Sequence, residues 1–346
     1  FVKQPPFVPR HLRFEVEERM NYKGEVLQEL DTQNLTSIIE TCRKEEVKAV
    51  AICLLHAYKN PIHEIQLLLE LAEKFPEVEI IASNQITREW REYERSSSTV
   101  LSGYVLPLAK KYLNNLEDKL KQKGLKNAPY IMQSNGGITS INDVKANPIT
   151  MVESGPASGV FGAIALGKVI DRKDLIVLDI GGTTAKCALV ENGQVQITTN
   201  YKIEHSRIQA GYPIQTPVID IVEIGNGGGS IAWIDKGGKM HVGPKSAGAI
   251  PGPAAYGRGG KNLTTTDANI LTGRIHSDYF LGGELLPDYE SIDEAAAPLC
   301  KELNGSKEEI AKGILRIANA NMINALKLIS VNKGYDPRDF TLIVIG

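Results

Sequence analysis

The stretch that most limits what this chain can fold into is residues 174–199. Two apolar runs of strand length, 174–180 and 187–190, are separated only by Gly181-Gly182 and a few polar residues, and Asn192-Gly193 turns the chain again into residues 194–199. Connections this short join antiparallel neighbours, so the segment is an antiparallel meander. Upstream the pattern differs. Residues 47–55 (VKAVAICLL) are a continuous apolar run suited to a buried parallel strand, Asn60-Pro61 opens an amphipathic stretch over 62–75, and residues 78–82 form a second strand. Strand, helix, strand followed by a meander predicts an α/β fold of mixed sheets flanked by helices, with a right-handed crossover.

The meander also carries the sharpest chemical signal, Asp179-Ile180-Gly181-Gly182-Thr183-Thr184-Ala185-Lys186. Two glycines let the backbone turn tightly, so that the N–H groups of Gly181, Gly182, Thr183 and Thr184 can converge on phosphate oxygens as an anion nest. The two threonine hydroxyls add donors, Asp179 can hold a hydrated magnesium ion, and Lys186 can offset phosphate charge. The plain alternative is a hairpin whose turn happens to be Gly-Gly. A second cluster, Gly225-Asn226-Gly227-Gly228-Gly229-Ser230, lies between apolar runs. Consecutive glycines are entropically costly to order, which demands the close approach of a ligand or of another backbone, unless this is only a flexible loop or bulge.

Weaker candidates are Ser134-Asn135-Gly136-Gly137 at a strand end, Ser154-Gly155-Pro156 at a helix start, and Thr264-Thr265-Thr266-Asp267, which reads first as a helix cap. The run Arg88, Glu89, Arg91, Glu92, Glu94, Arg95 reads as a solvated helix face. Residues 12–16 alternate as a strand, 87–124 and 155–167 are helical, 129–133 are a short strand, helices follow near 267–272, 291–303 and 306–330, and residues 340–345 close as a strand.

Composition excludes several classes. Lys+Arg 39 against Asp+Glu 41 leaves a net charge of −2, with no basic excess to drive counterion release, so nucleic acid is not an expected partner. A chain of 346 residues with 42% hydrophobic and 23% charged content is an ordinary folded protein of two domains, expected at 1–170 and 171–346. No apolar run approaches a membrane helix, and the four scattered cysteines fit free thiols in a reducing cytoplasm. The six histidines show no metal-binding spacing, and neither a Walker A lysine motif nor a Rossmann G-x-G-x-x-G turn is present.

Taken together, EYERSSSTV (92–100), MQSNGGI (132–138), ESGPASGV (153–160), LDIGGTTAK (178–186), IGNGGGSIAWID (224–235), VGPKSAGAIPGPAAYGRGG (242–260), TTTDANILTGR (264–274) and GYDPRDF (334–340) resemble, in order and spacing, the hydantoinase A/5-oxoprolinase family. The resemblance implies an actin-like ATPase fold built of RNase H-like domains, with ATP and Mg2+ as cofactors. Members use ATP to activate an amide or carbonyl oxygen as a phosphate ester. Cyclic amides such as 5-oxoproline are then hydrolysed, while related carboxylases phosphorylate a ketone. It further implies a B-type subunit or domain as partner, with a homo-oligomer also open. By matching motif, Asp179 and Gly181 to Thr184 take the phosphate and metal role with Lys186, Gly227, Gly228, Gly229 and Ser230 take the nucleoside side, and Ser134, Asn135, Gly136 and Gly137 also contact the cofactor. The leading expectation is a ring-opening amidohydrolase subunit, the alternatives being a ketone carboxylase subunit or a non-catalytic nucleotide-binding assembly protein.

This chain departs from the family pattern in several places. Lys186 stands where members commonly carry an acid, and Ala255 where many carry cysteine. No D-x-G-G-T loop precedes residue 47, the chain begins at Phe1, and it stops at Gly346 where relatives run on into a glycine-rich loop. A truncated first lobe, inactive alone, is therefore expected.

Overall fold

The computed structural model describes residues 4–205 and 208–346. The chain forms two compact units, the first Phe1–Ser158 with Ile197–Ile219 and the second Gly159–Gln196 with Asp220–Gly346. The expected division at 170/171 falls inside the second unit, and residues 197–219 return to the first. They do so through specific bonds: the Ile219 N–H donates to the Ser134 carbonyl, and the Gln215 N–H donates to Ser98 Oγ.

In the first unit Ala49–Ile52 and Glu79–Ala82 pair in parallel, joined by the helix Ile62–Lys74, which is the expected strand, helix, strand unit. Leu67 and Leu71 from that helix and Phe75 at its C-cap meet Ile52 and Ala82 from the strands, together with Leu35, Ile39 and Cys42 of the helix Leu35–Lys44. The long helix Glu92–Gln122 follows. Residues 12–16 are not a strand. A 3-10 turn occupies Arg10–Leu12 and the strand begins at Glu17, because Arg13 folds back, its guanidinium donating to the Val8 carbonyl at 2.8 and 3.0 Å.

Arg95 corrects the reading of its segment as a solvated face. It is 1% exposed, bonded to Glu92, Ser83 and the Leu54 carbonyl, and lies 3.7 Å from the fully buried Glu64. Glu64 in turn accepts from Ser83 Oγ and from both the backbone and side chain of Asn84. A buried ion pair is tolerated only when its remaining donors and acceptors are satisfied in this way.

The second unit is built on a sheet ordered Ile221–Ile224, Ala185–Glu191, Leu175–Ile180, Thr341–Ile345. Only the last pairing, Thr341–Ile345 with Leu175–Ile180, is parallel; the first turn of the expected meander is present, but its third strand is cut short. Only Gln194–Val195 pairs Val190–Glu191, while Ile197–Thr198 pairs Val218–Ile219 in the first unit and Ile221–Ile224 takes the place beside Ala185–Glu191. Period-two alternation puts Ile176, Leu178, Cys187 and Leu189 on one face, packed on Ala325 and Ile329 of the helix Lys307–Ile329. A second core joins the hairpin Ser230–Ile234/Met240–Ser246 to the helices Thr265–Leu271, Tyr289–Leu303 and Lys307–Ile329. The last of these starts at the capping box Ser306/Glu309. All four cysteines are free thiols. Among the described residues no helix is long and apolar enough to cross a membrane.

Candidate functional site

Two turns of the second unit come together. Asp179 ends the strand Leu175–Ile180, the chain reverses, and Ala185–Glu191 returns alongside it, with Asp179 opposite Lys186 in the ladder. The Gly181 N–H closes the turn onto the Thr184 carbonyl at 3.0 Å, so it is not free for a ligand. The nest predicted from residues 181–184 is thereby reduced to three donors. Among the described residues the N–H groups of Gly182, Thr183 and Thr184, both threonine hydroxyls and the Asp179 carboxylate form no hydrogen bond within the protein. Gly182 and Thr183 are exposed, while Thr184 and Asp179 are half-buried.

The Gly225–Ser230 stretch lies against this hairpin. The Gly228 N–H donates to the Gly181 carbonyl at 3.0 Å and the Gly229 N–H to the Gly182 carbonyl at 2.6 Å. A Cβ at Gly227 would lie 2.5 Å from the Gly181 oxygen and 2.8 Å from the Thr183 nitrogen, and one at Gly229 would lie 2.9 Å from the Gly182 oxygen. These glycines are required because one backbone is stitched to another. The remaining N–H groups are also used: Gly227 donates to Ser230 Oγ at 2.8 Å and Ser230 donates to the Gly227 carbonyl at 3.1 Å. Gly227, Gly229 and Ser230 are buried, so the loop's visible work is to fix the hairpin's shape.

Behind the loop, Thr266 donates to the Gly228 carbonyl through both N–H and hydroxyl. Asp267, fully buried, accepts from Ala255 N, Thr264 N and Thr264 Oγ1 at 2.7 to 2.8 Å and from Ala254 N at 3.3 Å. Burial pushes its carboxyl above the ordinary range, against the opposite pull of those hydrogen bonds. It completes the capping box with Thr264, the structural role its sequence context suggested first. Lys186 is 3.5 Å from Glu223 of the edge strand, a partner that sequence reasoning missed because 37 residues separate the two.

Ser134, Asn135, Gly136 and Gly137 belong to the first unit. They turn the hairpin Tyr130–Met132/Ile138–Ser140; Ser134 is buried with its hydroxyl on the Thr150 carbonyl at 2.6 Å, and Asn135 Oδ1 accepts the Gly137 N–H. Among the described residues no group of three or more His, Cys, Asp or Glu side chains is placed to hold a metal ion. Magnesium at Asp179 would thus have one protein carboxylate, with water and phosphate oxygens as its other ligands, the usual arrangement for that ion. The residues present fit such a group: an unpartnered carboxylate stands beside three unused N–H donors, and a Cβ at Gly182 would meet no protein atom within 4 Å.

A mixed sheet flanked by helices, whose hairpin presents an acid and unused backbone donors, defines an α/β protein, and its solved neighbours are consistent with the actin-like ATPase fold. Comparisons identify the family. Residues 95–346 match the Hydantoinase/oxoprolinase family and residues 2–74 its N-terminal region, and the chain belongs to that family. An uncharacterized protein of Methanocaldococcus jannaschii, MJ0964, is 40% identical over all of this chain and 52% of its own length. Caprolactamase subunit alpha of Pseudomonas jessenii is 33% identical over 98% of this chain and 48% of its own. Among solved structures, nucleotide-free acetone carboxylase superposes with a TM-score of 0.85 at 29% identity, covering 98% of this chain and 48% of that one. The ATP-dependent caprolactamase superposes with a TM-score of 0.74 at 32% identity and the same coverage. The chain spans about half the length of these relatives.

Proposed function

We propose that the hairpin 179–186 binds the phosphates of Mg2+-ATP, and that the chain is the nucleotide-binding part of an enzyme subunit that opens cyclic amides. The observation that carries the reading is the contrast at the hairpin: every N–H of residues 227–230 is used inside the protein, whereas those of Gly182, Thr183 and Thr184 are left on an exposed turn beside an unpartnered Asp179. Donors fixed in advance around a position where negative charge gathers are what phosphoryl transfer needs. The ATP dependence of the caprolactamase and acetone carboxylase relatives supports the same cofactor.

An unstrained lactam is a poor electrophile, and ATP when bound supplies the phosphoryl group that makes its carbonyl carbon attackable. This chain's residues serve that chemistry by position. Gly182, Thr183 and Thr184 donate to phosphate oxygens, Asp179 holds the hydrated cation, and Lys186 lowers the negative potential of the turn. The relatives' naming as subunits supports a partner chain, read here as the B-type hydantoinase subunit, in a cytoplasmic assembly. Phosphate release measured across lactams, hydantoins and ketone plus bicarbonate, with and without the partner subunit, tests the activity. Stimulation by a lactam is expected, and stimulation by the ketone mixture alone would overturn it. For the site, Asp179→Ala should weaken Mg2+-ATP binding in calorimetry; affinity equal to the parent's removes the claim.

A further inference from the structure

The ladder places three charged residues in one row at the hairpin's rim. Asp179 and Lys186 are directly opposite across the first strand pair, and Lys186 and Glu223 are directly opposite across the next. Directly opposed residues share a sheet face, with Cβ atoms about 5 Å apart. Lys186 on the middle strand therefore has a carboxylate on each side and can satisfy either. Its ammonium is 3.5 Å from Glu223 Oε1, whereas Asp179 forms no ion pair or side-chain hydrogen bond among the described residues.

We propose that Glu223 is a positioning residue of the phosphate site: by drawing Lys186 toward the edge strand it keeps the Asp179 carboxylate unneutralised and available to a hydrated divalent cation. The proposal rests on the phosphate reading of the hairpin. Without Glu223, the nearest carboxylate across the ladder from Lys186 is Asp179, and a cross-strand ion pair there would cancel the charge that magnesium requires. With Glu223 present, the row alternates negative, positive, negative, and one negative charge is left over on the strand that ends at the phosphate turn.

Calorimetric titration of ATP, with Mg2+ and with chelator, into Glu223→Gln, Lys186→Met and the double variant tests this. Glu223 is 43% exposed on an edge strand, so its amide variant should fold as the parent does. Glu223→Gln should weaken Mg2+-ATP binding about fivefold, the upper range for a partly exposed ion pair. Metal-free ATP binding should not weaken, and Glu223→Asp should recover most of the loss. In the Lys186→Met background Glu223→Gln should have no further effect, because no ammonium remains to be diverted. An equal loss with and without magnesium, a loss that persists in the Lys186→Met background, or no loss at all overturns the positioning role. If Asp179→Ala also binds Mg2+-ATP like the parent, the phosphate site itself is misassigned; if Asp179→Ala weakens binding and Glu223→Gln does not, only the role of Glu223 fails.

Discussion

The two glycine clusters of the second unit hold the same residue for opposite reasons. Gly227 and Gly229 are glycine because the protein's own backbone fills the space a side chain would need, the nearest backbone atoms lying at 2.5 and 2.9 Å. Gly182 has no left-handed φ, and a Cβ there would meet nothing. One cluster is explained by folding, and the other leaves glycine without a reason inside the protein. The carboxylates divide the same way: Asp267 is surrounded by donors from its own chain, while Asp179 has none. On the proposed reading, the groups of this region that the fold satisfies are structural, and those left open on the 182–184 turn and at Asp179 are the ones that phosphate and cation would satisfy.

The strongest test of that division is at its structural side. Asp267→Ala leaves the buried N–H groups of Ala255 and Thr264 unpaired and should destabilise the protein by about 3 to 5 kcal/mol in denaturant unfolding. A loss near zero would mean that the carboxylate is not holding the 254–264 segment. Gly227→Ala drives a methyl into the Gly181 carbonyl and should cost about 1 to 3 kcal/mol, the range for overpacking, while also weakening ATP because the hairpin must move. If Gly227→Ala weakened ATP without lowering stability, that loop would be a direct ligand contact and the contrast with Gly182 would collapse.

How much of this was legible in the sequence follows from the range of the interactions. The hairpin through Gly181-Gly182, the parallel strand pair and the cap at Thr264 rest on local patterns, and the structure has them where spacing put them; the third strand expected at 194–199 is instead divided between two sheets. Pairing between turns 181–182 and 228–229 is nonlocal; the sequence could say that a ligand or a backbone must come close, but not which. Arg95 shows the same limit. Its i, i+3 partner Glu92 suggested an exposed charged face, yet its burial is set by Glu64, Ser83 and Leu54 from other elements. Glu223 carried no local signal at all, since only strand register places it beside Lys186.

On the ligand side of the division the effects are smaller and fall on affinity rather than stability. Asp179→Ala should leave unfolding unchanged and weaken Mg2+-ATP about tenfold, or about 1.4 kcal/mol, with the difference vanishing when magnesium is chelated. A drop in stability of comparable size would move Asp179 to the structural class.

Gly182→Ala is the finest discriminator, because it adds one methyl where the protein itself has room. With φ outside the left-handed region and no atom within 4 Å of the new Cβ, the folded state gains no strain, and a less flexible unfolded chain should leave stability equal or higher by about 0.4 to 1 kcal/mol. The same methyl is carried by one of the three residues whose N–H groups are unused, where the proposed phosphate oxygens must approach to hydrogen-bond distance. Affinity for Mg2+-ATP should therefore fall about threefold to fivefold, less than for loss of the Asp179 charge, since a turn can tilt to admit one methyl. Calorimetry paired with thermal unfolding reads both quantities on one sample. Unchanged affinity would place the phosphates elsewhere than on the open side of this hairpin, and lowered stability would show that Gly182, like Gly227, is glycine for the protein's own packing.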